Sequence, residues 1–167
     1  ESLLRSQQPS GAWHRPDKSM AFCGGKLDVI TTHRCIEVLS LLTKENSLED
    51  RLIPLRDVAI TNACTFLLGA PLHDDPVSYE RNSGVLTPEV YRVLGHIVQG
   101  LVKAGKANTQ SVRDKIGLIL KCQDDDGSFR TSGSLLVRDR DLLHYTDITA
   151  FMVRTLVFYA QSIRSDT

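Results

Sequence analysis

Apolar residues recur at three- and four-residue steps along most of this chain, the periodicity of helices with a face in a core. In 88–103, Val90, Val93, Leu94, Ile97, Val98 and Leu101 make one stripe. Thr87-Pro88 opens it, pairing a side chain that caps a helix with a ring whose fixed φ suits the first turn. In 148–162, Ile148, Phe151, Met152, Leu156 and Tyr159 recur likewise, and Val153 and Val157 make the segment apolar nearly all round. Residues 30–42 read the same way. A helix without a polar face is expected to be covered on most sides.

Two further segments are amphipathic. Residues 54–68 set Leu55, Val58, Ala59, Ala63 and Leu67 against Arg56, Asp57 and Asn62. Residues 109–122 set Val112, Ile116, Ile119 and Leu120 against Arg113, Asp114, Lys115 and Lys121. The order amphipathic, loop, buried then repeats, giving pairs at 1–42, 51–103 and 109–162. The pattern predicts an all-α fold of three stacked helical hairpins in a single domain, 1–167. The connections within pairs, 14–29, 69–86 and 124–146, are long enough to serve as functional surfaces.

A phrase occurs near each end. Residues 3–13 read LLRSQQPSGAW and residues 119–129 read ILKCQDDDGSF. Each has a Gln, a polar tripeptide, a Gly and an aromatic two positions later. Gly11 and Gly127 can take the positive φ that closes a helix end. Trp13 and Phe129 can then fold back over that end, with Gln7 and Gln123 bonding terminal backbone groups. Self-similarity of this kind is the mark of a repeat, in which each unit buries its face on its neighbour.

Composition narrows the function classes. The chain has 41% hydrophobic and 24% charged residues, and twenty Lys and Arg balance twenty Asp and Glu. No net field favours nucleic acid or an anionic membrane. No apolar run approaches the roughly 18 residues of a membrane span. Cys23, Cys35, Cys64 and Cys122 are too few and too irregular for a disulfide framework. The chain starts at Glu1 rather than Met, which suggests a processed chain or a piece of a longer one.

Helix pairs joined through a Gln…Gly-aromatic loop resemble the α/α toroid of terpene cyclases, protein prenyltransferase β-subunits and the thioester domain of α2-macroglobulin and complement proteins. The last resemblance is the most detailed. QDDDGSFRTSGSLL at 123–136 is similar to a phrase of an α2-macroglobulin thioester-domain repeat, and DITAFMVRTL at 147–156 is similar to a helix of that domain. Residues 73–94 look like a degenerate preceding repeat. The family's reactive centre is Cys-Gly-Glu-Gln, in which the Gln side chain acylates the Cys. The matching stretch here is Cys23-Gly24-Gly25-Lys26, and Lys26 cannot supply the acyl group. The resemblance therefore implies an extracellular, non-catalytic, protein-binding domain whose thioester is absent. Three pairs would be half a ring, so a protein partner or the remaining half of the toroid is expected. The surface implied is made by Trp13, His14, Lys26, Tyr79, Arg81, Arg130, Arg138 and His144.

The alternative is an isoprenoid-handling enzyme of prenyltransferase or terpene cyclase type, which would be cytoplasmic. Asp28 and His144 match two of the segments that carry zinc ligands in prenyltransferase β-subunits, but Ile30 stands where a Cys is needed. Zinc requires three or four convergent donors, so the first expectation is no cofactor. Asp124, Asp125 and Asp126 read as a solvated turn rather than a buried catalytic acid. His33 and His96 read as satisfied core or rim histidines.

Overall fold

The computed structural model describes residues 1–14, 26–42, 49–70, 86–129 and 139–165. They form helices α1 (Ser2–Arg5), α2 (Lys26–Leu41), α3 (Ile53–Gly69), α4 (Pro88–Lys103), α5 (Gln110–Lys121) and α6 (Asp139–Ser165), with a 3-10 turn at Asp50–Leu52 before α3. No strand occurs among the described residues; an isolated bridge joins Gln123 to Phe129.

α4 lies at the centre. It packs on α2 and α6, and also against α3 and α5; α3 packs in turn on α2 and α1. All six stripe residues expected in 88–103 are buried, and Tyr91 and Val102 join them. Thr87 caps α4 as its sequence suggests, its Oγ1 accepting from the Val90 N–H at 3.3 Å, with Pro88 in the first turn. The other helices are more one-sided than their composition implies. In α3, Ala59, Ala63, Cys64 and Leu67 enter the core while Leu55 and Val58 face out. In α5, Val112, Ile116 and Ile119 are buried and Leu120 is exposed. α6 was expected to be covered nearly all round; instead Val153 and Val157 are 42% and 49% exposed. Its core contacts come from one side, through α4, so its far face stays open. Asp50–Gly69 has the length and mean hydropathy, 1.2, of a membrane-crossing helix, with 28% of it buried inside the fold.

Three element boundaries differ from the periodicity reading. The first outer helix is a single turn, because Pro9 and Gly11 stop it. α2 starts at Lys26, inside the expected loop. α6 starts at Asp139, so 139–146 are helical rather than loop, and His144 sits on a helix. RDRDLLHYTD contains no Gly or Pro to break the helix, and its early acids favour an N-terminus.

The two Gln…Gly-aromatic corners share one bonding plan. Gln7 Nε2 donates to Gly11 O at 2.9 Å, and Gln123 Nε2 to Gly127 O at 3.0 Å. The Gln8 N–H donates to Ala12 O and the Asp124 N–H to Ser128 O, both at 2.9 Å. Gly11 and Gly127 have φ of 86° and 84°. The buried Trp13 and Phe129 then donate their backbone N–H groups to Thr32 Oγ1 (3.0 Å) on α2 and Thr149 Oγ1 (3.1 Å) on α6. Each corner thus ties the end of one helix, α1 or α5, to the next helix along the chain, α2 or α6. The first is more deeply seated: Gln7 Nε2 also reaches Ala59 O at 2.8 Å, and Trp13 Nε1 donates to Leu3 O.

Replacing Gly127 by Ala should cost about 1–2 kcal/mol, the strain of an L-residue in left-handed backbone. Gly11→Ala should cost more, because its Cβ would also stand 2.2 Å from the Asn62 carbonyl oxygen. Urea unfolding of the two variants checks the order; equal losses would contradict it.

Candidate binding cleft

A cleft of about 230 Å³ opens between α2, α4 and α6. Helical spacing builds it. His33 and Glu37 stand one turn apart on α2, and Gln99 and Lys103 one turn apart on α4. Arg154, Val157, Phe158 and Gln161 follow on α6 at steps of three and four. Residues at these offsets share a face, so three helices with unremarkable sequences place eight side chains around one space.

His33, on the cleft lining, is half of a histidine pair. His33 Nδ1 and His96 Nδ1 lie 2.9 Å apart, with ring centroids 5.1 Å apart. One ring must carry its proton on Nδ1 and the other on Nε2, since a contact between two bare or two protonated nitrogens would repel. The His96 ring also leans on Phe151. Burial is the largest cause holding both imidazoles neutral, lowering each from 6.5 to about 4. For His33, repulsion from His96 and then Arg34 adds to it; for His96, Arg34 and Arg92 do so. Beside the pair, Gln99 Nε2 donates to Thr155 Oγ1 at 2.7 Å, and that hydroxyl donates to Phe151 O at 2.9 Å. Thr155 is fully buried, so this chain of bonds satisfies a polar group that would otherwise be costly.

The mouth carries charge. Glu37 accepts from Arg34 at 2.8 Å, and that bond holds its carboxyl below the usual range. Lys103 Nζ sits 4.8 Å above the Phe158 ring centre. Neither Lys103 nor Arg154 forms an ion pair with a carboxylate among the described residues.

The residues named from sequence do not gather here. Trp13 was expected on a surface but is 2% exposed, and its indole N–H is used within its own corner. Its size made it a contact candidate; the repeat uses that size as a plug. His14 is exposed, and its Nδ1 lies 2.8 Å from Asp28 Oδ2. That contact occupies the Asp28 carboxylate considered for zinc. Lys26 opens α2 and His144 lies in α6, but their side chains fall outside the described residues, as do Cys23, Tyr79, Arg81, Arg130 and Arg138. Among the described residues no three His, Cys, Asp or Glu side chains are grouped to hold a metal. Cys35, Cys64 and Cys122 are not in disulfides, and burial pushes the Cys35 thiol up to about 11. Lys103 and Arg154 were not singled out in the sequence.

No family model, curated protein or solved structure matches this chain.

The histidine pair makes stability pH-dependent with a definite sign. Unfolded histidine titrates near about 6.5, whereas the folded rings resist protonation until about 4. Their contribution is complete above the unfolded value and falls as pH drops from 6.5 towards 4. Each ring that stays neutral removes up to about 1.4 kcal/mol per pH unit in that window. Denaturant midpoints at a series of pH values should show this slope. In His96→Asn, which keeps an amide near the Nδ1 position, the slope should be about half as steep. An unchanged slope would contradict the pair's role.

Proposed function

We propose that this chain is a non-catalytic protein-binding domain of α/α-toroid type, related to the thioester domain of α2-macroglobulin and complement proteins and lacking a working thioester. The observation that carries this reading is the paired corner. Two phrases far apart in sequence adopt one hydrogen-bonding plan, each handing an outer helix end to a threonine of the next inner helix. That is how a layered repeat of helical hairpins is built. The row α2–α4–α6 would form the inner layer, with α1, α3 and α5 outside it. On this reading the chain works outside the cell, and Lys26 in the position of the acylating Gln leaves Cys23 without a partner for covalent capture.

A binding role is supported by what the row leaves uncovered. Val38 and Leu41 on α2 and Val153 and Val157 on α6 are exposed apolar groups at its two sides. A protein partner, or the remaining half of the toroid, would cover them. The isoprenoid-enzyme reading draws no such support. An isoprenoid chain needs apolar walls, and the cleft sets a single aromatic ring, Phe158, among His, Glu, Gln, Lys and Arg side chains.

Mass spectrometry with methylamine tests the reading. The purified chain should gain no methylamine and contain no stoichiometric zinc. One methylamine adduct would reveal a live thioester, and stoichiometric zinc would favour the enzyme. The exposed α6 face has its own test. Val153→Asp with Val157→Asp should change the unfolding free energy by no more than about 0.5 kcal/mol. A loss of several kcal/mol would place that face in the chain's own core.

A further inference from the structure

We propose that the cleft between α2, α4 and α6 is a binding site for a carboxylate carried on a small apolar group. The inference goes beyond the protein-binding reading and does not need it, because it stands on the cleft's own chemistry. Lys103 and Arg154 bring two positive charges to one opening from different helices; neither forms an ion pair with a carboxylate among the described residues, although Lys103 feels the charge of Glu37 across the cleft. The one acid on the lining, Glu37, is already bonded to Arg34. Arg34 cancels that charge locally, so the opening keeps an excess of positive charge. A guanidinium presents paired donors that match a carboxylate, and an ammonium adds a point charge beside them.

The rest of the lining selects among anions. Val157 and the face of Phe158 lie next to the cations, and Phe158 already holds the Lys103 ammonium over its ring. An apolar group attached to the carboxylate would be desolvated against these two side chains. A bare inorganic anion would gain charge pairing but leave the apolar wall wet. His33 on the lining, paired with His96 and held neutral at physiological pH by burial, adds no third charge. The volume of about 230 Å³ limits the occupant to a short acid or to one or two side chains of a peptide.

That chemistry is shared by a free organic acid and by an acidic residue beside an apolar one in a polypeptide. The test is an NMR titration of the full chain with four probes: phenylacetate, its neutral analogue phenylacetamide, inorganic phosphate, and the blocked dipeptide acetyl-Glu-Phe-amide. Phenylacetate or the dipeptide should shift the signals of Lys103, Arg154 and Phe158 in a saturable way. Phosphate should bind at least fivefold more weakly, and phenylacetamide at least tenfold more weakly. Tighter binding of the dipeptide assigns the site to a protein ligand, and tighter binding of phenylacetate to a free acid; both support the proposal. Lys103→Met with Arg154→Met keeps the side-chain stems and should weaken binding at least tenfold, with the thermal midpoint reporting that the fold is intact. Equal binding of phenylacetamide, unchanged affinity in the double variant, or no binding by either acid would overturn it.

Discussion

The burial of the apolar residues of α4 is the constraint on which the other elements depend. Tyr91, Leu94, Ile97, Val98 and Leu101 are fully buried, and each such side chain is worth about 1.5–3 kcal/mol removed from water. So many apolar residues on one helix have no stable place at a surface, so α2, α3, α5 and α6 pack around it, leaving its one polar row, Arg92, His96, Gln99 and Lys103, only partly covered. Two glycines let them approach closely. A Cβ at Gly95 would meet Phe151 of α6 at 2.4 Å, and one at Gly100 would meet Leu67 of α3 at 2.7 Å. The His33–His96 contact lies on the α2 side of the same helix, so packing and the polar floor of the cleft are set by one set of backbone positions.

The corners supply the second level of order. Burial chooses neighbours but leaves the angle and height of each helix loosely fixed, since it has no direction. Hydrogen bonds from Gln7 and Gln123, and from the Trp13 and Phe129 backbone to Thr32 and Thr149, are directional and fix those heights. The two copies are not identical: the threonine lies 19 residues after Trp13 and 20 after Phe129.

The helical class, the buried stripe of 88–103 and the glycine-aromatic corners were legible in the sequence, because each rests on local periodicity or on a residue type with one conformational use. Exposure was less legible. Leu55, Val58, Leu120, Val153 and Val157 are apolar residues in apolar helices, and only the position of each helix in the row decides that they face out. The start of α6 was missed because a charged segment without breakers reads equally as loop or as a solvated helix end. The cleft was missed for a different reason. Lys103, Arg154, Glu37 and Gln99 are ordinary polar residues on three separate helices, and their convergence exists only once α2 and α6 flank α4.

Native-state hydrogen exchange of the backbone amides tests the central position of α4 most directly. Amides of Val93–Val102 should be the slowest in the chain and exchange only through global unfolding, with those of α1 and the outer turns of α6 opening at much lower free energy. Amides of α4 that exchange as fast as those of α1 would show that the helix is not enclosed, and the row built around it would fall with it.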